Sequence, residues 1–104
     1  MCQRRVLNKR HGTWPAGAIS IDRGTIWGNP FVIGRDGDRR AVIAKYQRWL
    51  ADQDHLLRRL DDLRGSDLLC WCAPLACHGD LLKYLANASR DERVAWWRGV
   101  KAAA

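Results

Sequence analysis

Residues 67–80 have the sequence D-L-L-C-W-C-A-P-L-A-C-H-G-D, in which a short apolar run gives way to a helical pattern. The run over residues 67–72 is bounded by turn-forming residues, as expected of a buried strand, and Pro74 ends it because proline cannot donate to a strand ladder. Between Gly79 and Ala86 the leucines recur at helical spacing. A strand followed directly by a helix predicts one βα unit of a parallel sheet.

The chain before this unit predicts two further strands and a helix. Residues 4–9 have a short apolar centre between charged ends, and residues 18–22 alternate between apolar and polar side chains, both of which are typical of short strands. Apolar residues at helical spacing then predict a helix that Asp36 or Asp38 caps and that ends near Asp52.

Two more helices are predicted, one on each side of the βα unit. Asp54 is the expected N-cap of the first, whose leucines face the core, and Gly65 supplies the left-handed residue that often follows a helix. The second begins at a capping box formed by Ser89 and Glu92 and covers residues 90–101.

Length and composition are those of one small globular domain. The 104 residues have room for a single core, with 47% hydrophobic and 28% charged residues. The order of elements predicts a single α/β domain over residues 1–104, in which four helices pack on a small, largely parallel three-stranded sheet. No apolar run approaches the roughly 20 residues of a membrane span, and residues 1–5 lack a secretory signal, so we expect a cytoplasmic protein without membrane contact.

The chain is basic, with a formal net charge of +7. Among its first 23 residues five are basic, whereas Asp22 alone is acidic. Such a surface attracts nucleic acid or a phosphorylated or carboxylated ligand, but the same charge can serve only to keep a protein soluble. Contact with nucleic acid is therefore open at this point.

Three of the four cysteines lie within eight positions, at Cys70, Cys72 and Cys77, and His78 follows directly. Thiols crowded in a cytoplasmic chain are more typical of metal binding or catalysis than of a disulfide framework. Cys70 and Cys72 share one face of the predicted strand, and together with Cys77 and His78 they form a candidate tetrahedral zinc site. The C-x-C and Cys-His spacings depart from the usual C-x-x-C turn, so Cys70 and Cys72 can also be plain core residues.

The same segment predicts a catalytic site where the loop enters the helix. Unpaired N–H groups and the helix dipole stabilise an anion there, which makes Cys77 a candidate thiolate. His78 can exchange protons near neutral pH, and Asp80 can orient it or act as an acid or base. The alternative for Asp80 is that it only favours the first helical turn. We predict Cys77, His78 and Asp80 as the catalytic residues, at the strand end where α/β sheets usually bind ligands.

A second unusual segment is the irregular loop over residues 24–31. We predict that its residues Trp27, Gly28, Asn29 and Phe31 bind substrate, because an aromatic face stacks a planar ring and the Asn29 amide can hydrogen-bond to the ring edge. An aromatic plug that covers the core is an equally good interpretation of these residues.

Together, the two segments resemble a known family. W-G-N-P-F at residues 27–31 and C-x-C-x-P-x-x-C-H-G-D at residues 70–80 are similar to the hallmarks of the phage and bacterial domain of unknown function 4326 family. The resemblance covers about residues 6–87 and leaves the last helix outside. It implies a part in phage DNA hypermodification, in which 7-deazaguanine-type bases are made and trimmed, and hence the cytoplasm of a bacterial host.

Three hypotheses follow. The first is a small enzyme that acts on a purine-like, 7-deazaguanine-type base or nucleotide, with decarboxylation as a candidate reaction. The second is a zinc-stabilised nucleic-acid-binding module, and the third is a phage–host interaction protein without catalysis. A homodimer is compatible with all three, because the chain is small and rich in tryptophan.

Overall fold

The computed structural model describes residues 6–12, 14, 16–71, 75 and 77–103. Within this part of the chain three short strands form one sheet, namely β1 (Val6–Asn8), β2 (Ile19–Ser20) and β3 (Leu68–Cys70). β3 lies in the centre and both neighbours run parallel to it, in the order β1-β3-β2. The predicted three-stranded parallel sheet is confirmed. The predicted first strand extends too far at Lys9, which begins a 3₁₀ turn in the structure. Residues 4, 5 and 72 of the predicted strands lie outside the described residues.

Four α-helices accompany this sheet in the described residues: α1 (Arg39–Ala51), α2 (Asp54–Leu57), α3 (His78–Asn87) and α4 (Arg90–Ala103). The α/β fold class is therefore confirmed. None of these helices is long and apolar enough to span a lipid bilayer.

Two helix starts follow the predicted capping chemistry. The Asp38 carboxylate accepts a hydrogen bond from the Ala41 amide at 2.9 Å and begins α1, whereas Asp36 binds the Val32 amide in the preceding loop. At α4 the Ser89 and Glu92 side chains each accept from the other's main-chain N–H, at 3.1 and 2.9 Å. Because each cap satisfies amides that the helix leaves unpaired, both helices begin where the sequence indicates.

The prediction of one helix capped by Asp54 is wrong in two respects. Asp54 is the first residue of α2 rather than its N-cap, and Gln53, which precedes it, makes no side-chain capping bond. The helix also ends after one turn, and a separate 3₁₀ turn covers Leu60–Leu63. The chain turns between them while the core still buries Leu56, Leu60 and Leu63, so tertiary packing overrides the continuous helical pattern of the leucines.

The core lies between the sheet and the helices. Its largest fully buried side chains are Ile21, Tyr46, Leu50, Leu56, Leu60, Leu63, Leu68, Leu69, Leu82 and Leu85. Because all three strands are parallel, their carboxyl ends meet at one edge of the sheet, and the N-terminus of α3 comes to the same edge. This edge is where ligands bind in open α/β sheets.

Candidate functional site

A cleft of about 450 Å³ opens at the carboxyl edge of the sheet. The loop before α1 and the first residues of α1 form one side, and the end of β3 and the start of α3 form the other. Residues from both sides line it, including Arg23, Phe31, Arg39, Cys70, Cys77 and His78. The volume lies within the range of small-molecule sites, about 300–1,000 Å³.

Two sulfur atoms meet in the wall of this cleft. The Sγ atoms of Cys70, the last residue of β3, and Cys77, which precedes α3, are 3.3 Å apart, and both side chains are buried. This separation fits an S–H···S hydrogen bond and is much longer than a disulfide bond of about 2.05 Å. The fold thus brings together two of the three predicted sulfur ligands. The third, Cys72, lies outside the described residues.

Cys77 is the N-cap of α3. Its Sγ accepts a hydrogen bond from the Gly79 amide at 3.2 Å, and the Asp80 carboxylate accepts one from the Cys77 amide at 3.2 Å. This is a capping box in which cysteine takes the usual place of serine. The helix dipole and the Gly79 amide favour negative charge on the sulfur of Cys77. Asp80 is exposed, and its contact with the Cys77 amide fits the alternative that it favours the first turn of the helix.

His78 is held in one orientation. Its Nε2 lies 2.7 Å from the main-chain oxygen of Ile21, and because that oxygen can only accept, Nε2 carries the proton. Burial lowers the pKa of His78, although the bond to Ile21 acts in the opposite direction. The ring is therefore neutral at pH 7, and Nδ1 is the nitrogen with a lone pair for a molecule in the cleft.

Tyr46 supports the imidazole from α1. The two ring centroids are 4.9 Å apart in an edge-on arrangement, and the Tyr46 hydroxyl donates to the main-chain oxygen of Trp27 at 2.8 Å. Burial, and then the charge of nearby Cys77, raise the pKa of Tyr46, so its hydroxyl stays protonated at any physiological pH. Tyr46 thus links the helix start to the aromatic loop.

The aromatic loop divides its predicted residues between the core and the cleft. Trp27 is 4% exposed and belongs to the hydrophobic core, whereas Phe31 lines the cleft. A Cβ at Gly28 would lie 2.6 Å from the Cα of Arg23, so this position admits only glycine without rearrangement. Phe31 rather than Trp27 is therefore the candidate for stacking a ligand, because the Trp27 ring is packed in the core.

Asn29 also lines the cleft, and its amide is largely engaged within the protein. Its Nδ2 donates to the Val42 oxygen at 3.2 Å, and its Oδ1 accepts from the Phe31 amide at 2.9 Å. The Arg23 guanidinium donates to the main-chain oxygens of Asn29 and Phe31, at 3.2 and 3.3 Å. These bonds fix the loop and orient Phe31. One hydrogen of the Asn29 Nδ2 remains for a ligand.

The rim of the cleft carries both signs of charge. Asp22 forms an ion pair with Lys9 at 2.7 Å and accepts from the indole nitrogen of Trp71 at 3.2 Å. The hydrogen bond from Lys9 lowers the pKa of Asp22 further than partial burial raises it. The lining includes Asp22, Arg23 and Arg39, whose formal charges sum to +1. The cleft thus favours an anionic ligand.

This geometry does not test the predicted zinc site, because Cys72 lies outside the described residues. In the described part of the chain, no three His, Cys, Asp or Glu side chains are grouped closely enough to hold a metal ion. Cys70 and Cys77 can share one ion, but Nε2 of His78 is bound to Ile21 and only Nδ1 could turn toward a metal. Cys72 would have to complete the set.

Sequence reasoning missed several residues of the cleft. Asp22, Arg23, Arg39 and Trp71 line it, yet none of them was predicted from the sequence to have a functional role. Asp22 and Trp71 follow the ends of β2 and β3, a position that predicts a ligand site in a parallel sheet and that could have singled them out. Arg39 carries no such signal, because its place depends on how α1 packs.

In the part of the chain that the structure describes, fold and cleft define a class of protein, namely a small parallel α/β domain with a cleft between an aromatic loop and a Cys-His helix start. The chain belongs to the family described as domain of unknown function (DUF4326), which it matches over residues 6–88. The family resemblance predicted from the two segments is confirmed, and the match ends before α4.

A relative from Enterobacteria phage T4 supports this assignment. The chain is 35% identical to the uncharacterized 12.4 kDa protein in the nrdA-td intergenic region over 88 residues, which cover 80% of this chain and 77% of the phage protein. No solved structure matches the chain significantly.

Proposed function

We propose that this chain is a small enzyme that acts on a purine-like base or nucleotide of the 7-deazaguanine type. The observation that carries the proposal is the meeting of two distant segments across one cleft, with Phe31 on one side and Cys70, Cys77 and His78 on the other.

Shape and charge of the cleft favour a flat, anionic ligand. A purine-like ring can stack on Phe31, while Arg23 and Arg39 attract a phosphate or carboxylate. The neutral His78 offers Nδ1 as an acceptor for a ring N–H or amino group, because Nε2 is held by Ile21. The remaining Asn29 donor supplies a second edge contact.

Decarboxylation is the reaction that we propose for this site. In that step a proton first adds to the ring carbon that bears the carboxylate. The bond between this carbon and the carboxylate then breaks and carbon dioxide leaves, while the electron pair of the broken bond restores the aromatic ring. The thiol pair can supply the proton, since Cys70 and Cys77 sulfurs lie 3.3 Å apart and the helix N-terminus stabilises the thiolate that remains. Solvent then returns the proton to the pair.

The test is incubation of the protein with 7-carboxy-7-deazaguanine and its deoxynucleotide, followed by mass spectrometry for loss of carbon dioxide. We expect turnover in the native chain and at least about a hundred-fold loss in Cys77→Ser, which keeps the helix cap but removes the thiol. Tyr84→Ala is the matched control, since Tyr84 is exposed on α3 and is not part of the cleft lining. Absence of both binding and turnover would contradict the proposal.

A zinc-stabilised nucleic-acid-binding module is the second candidate, and the close approach of Cys70 and Cys77 supports it. Elemental analysis of native protein decides between the two. About one zinc per chain that is lost in Cys70→Ala and Cys77→Ala, together with binding to DNA or RNA without turnover, would favour the module. Native protein without metal would instead favour the enzyme, in which the thiols of Cys70 and Cys77 supply the proton.

The setting that we propose is DNA modification in the cytoplasm of a phage-infected bacterium. Its support is the relative from phage T4, because phage proteins are synthesised in the cytoplasm of the infected cell. A phage–host interaction role stays a prediction for the case in which the cleft binds no nucleobase. A homodimer also stays a prediction.

A further inference from the structure

We infer that Trp71 is a stacking shelf for the base next to the one in the cleft, so that the substrate is presented within a single-stranded polynucleotide. This inference rests on the proposed function, because it assumes that the cleft accepts a base. It adds a second contact site, at the rim of the cleft, for the neighbouring nucleotide.

Trp71 is exposed and yet fixed. The residue is 52% exposed and lines the cleft. The indole nitrogen donates to Asp22 at 3.2 Å, and the Trp71 main-chain oxygen accepts from the Asn8 side chain at 3.2 Å. A ring held at both its polar atom and its backbone loses little further freedom when a base stacks on it.

Lys9 supports the indole from one side. Its Nζ lies 5.8 Å from the Trp71 ring centroid and 2.7 Å from the Asp22 carboxylate, so the cation, the carboxylate and the indole form one fixed group. Aromatic rings beside a positively charged groove are the platforms on which proteins stack the bases of single strands.

The positive charge beside Trp71 distinguishes a polynucleotide from an apolar partner. Arg23 lines the same cleft and donates to two main-chain oxygens, which position its guanidinium without neutralising the charge. Arg39 lines the cleft from the first turn of α1. Phosphates on either side of the base in the cleft would therefore meet arginine, while the adjacent base meets Trp71.

Exposure alone does not produce this arrangement. Tyr84 is exposed to the same degree, at 50%, but it lies on α3 and does not line the cleft. It is therefore the matched control for an accessible aromatic ring.

The experiment compares two probes by equilibrium binding. One is a fluorescein-labelled oligonucleotide with a single central 7-deazaguanine, made as oligothymidine DNA and as oligouridine RNA, and its binding is measured by anisotropy. The other is 7-deaza-2′-deoxyguanosine monophosphate, measured by calorimetry. Both are titrated into the native protein and into Trp71→Ala, Trp71→Phe, Tyr84→Ala and Phe31→Ala, with folding of each variant checked by circular dichroism.

We expect the oligonucleotide to bind at least about five-fold more tightly than the mononucleotide, and Trp71→Ala to remove that advantage by weakening the oligonucleotide more than it weakens the mononucleotide. Trp71→Phe should retain most of the advantage, and Tyr84→Ala should retain all of it. The sugar form that binds more tightly identifies the strand as DNA or RNA.

Two results would overturn the inference and leave the proposed function standing. The first is that native protein binds both probes with equal affinity. The second is that Trp71→Ala weakens the binding of both probes equally. In each case Phe31→Ala must still abolish binding of the mononucleotide. If neither probe binds native protein, the proposed function fails together with the inference.

Discussion

The imidazole of His78 donates from Nε2 to the main-chain oxygen of Ile21 across 2.7 Å, and this bond joins the first turn of α3 to the residue that follows β2. It places a neutral, buried histidine between the two parts of the chain that form the cleft. The bond also sets which nitrogen can serve a ligand, because only Nδ1 remains.

This bond predicts a fall in stability at mildly acid pH. Burial lowers the pKa of His78 below its ordinary value of 6.5. Below pH 6.5 the His78 side chain therefore binds a proton more readily in the unfolded chain than in the folded chain. The free energy of unfolding should therefore decrease as pH falls from about 6.5 toward 5. The carboxyl groups Asp22, Asp36 and Glu92, whose pKa values are lowered, act only below about pH 4.5.

Urea unfolding at several pH values measures this effect. His78→Gln is the control, because its side-chain N–H can still reach Ile21 but does not titrate. We expect the variant to lose most of the slope between pH 6.5 and 5. An unchanged slope in His78→Gln would assign the pH dependence to another group.

Gly79 should not tolerate a side chain. A Cβ there would lie 2.7 Å from Cδ1 of Ile21 and 3.1 Å from Sγ of Cys77, so Gly79→Ala should lower the free energy of unfolding by about 1–3 kcal/mol. Gly99→Ala in α4 is the matched change, because nothing lies within 4 Å of its Cβ position. It should raise stability by about 0.5–1 kcal/mol. Chemical denaturation of both variants tests the pair, and equal effects would refute the packing argument.

Cys77 should be replaceable by serine but not by alanine as far as folding is concerned. Serine keeps an acceptor for the Gly79 amide, whereas alanine leaves that amide without its cap and should cost about 1 kcal/mol. Thermal unfolding of Cys77→Ser and Cys77→Ala checks this ranking. If alanine is as stable as serine, the 3.2 Å contact of the sulfur contributes little to the helix start.

Arg93 should be the most sensitive basic residue of α4. It donates to the main-chain oxygens of Leu85 at 2.7 Å and Ala86 at 2.9 Å, and to Asp61 at 2.9 Å, so it caps the C-terminal end of α3. Arg93→Ala should lower the free energy of unfolding by about 1.5–3 kcal/mol, since hydrogen bonds from a charged donor are the stronger ones. Arg90→Ala, at an exposed position of the same helix, should change it by less than about 0.5 kcal/mol. Urea unfolding that gives similar losses in the two variants would exclude the capping role.

Local pattern was sufficient for most of the fold. The apolar run before Pro74 predicts β3, the Ser89–Glu92 box predicts the start of α4, and both are present. These features depend on neighbours along the chain, whose chemistry the sequence displays directly. Pattern failed at Asp54, where the leucines suggest one helix but the chain turns after Leu57.

From the amino-acid sequence alone came the parallel α/β domain, the family, and the proximity of Cys77 and His78 to the end of β3, because a strand that leads into a helix leaves few other arrangements. Only the tertiary structure separated Trp27, which is in the core, from Phe31, which is in the cleft, and only it brought Arg39 and Trp71 to the same edge. The reason is physical: these positions depend on how α1 and the long loops pack on the sheet. Contacts between residues far apart in sequence leave no periodic signal along the chain.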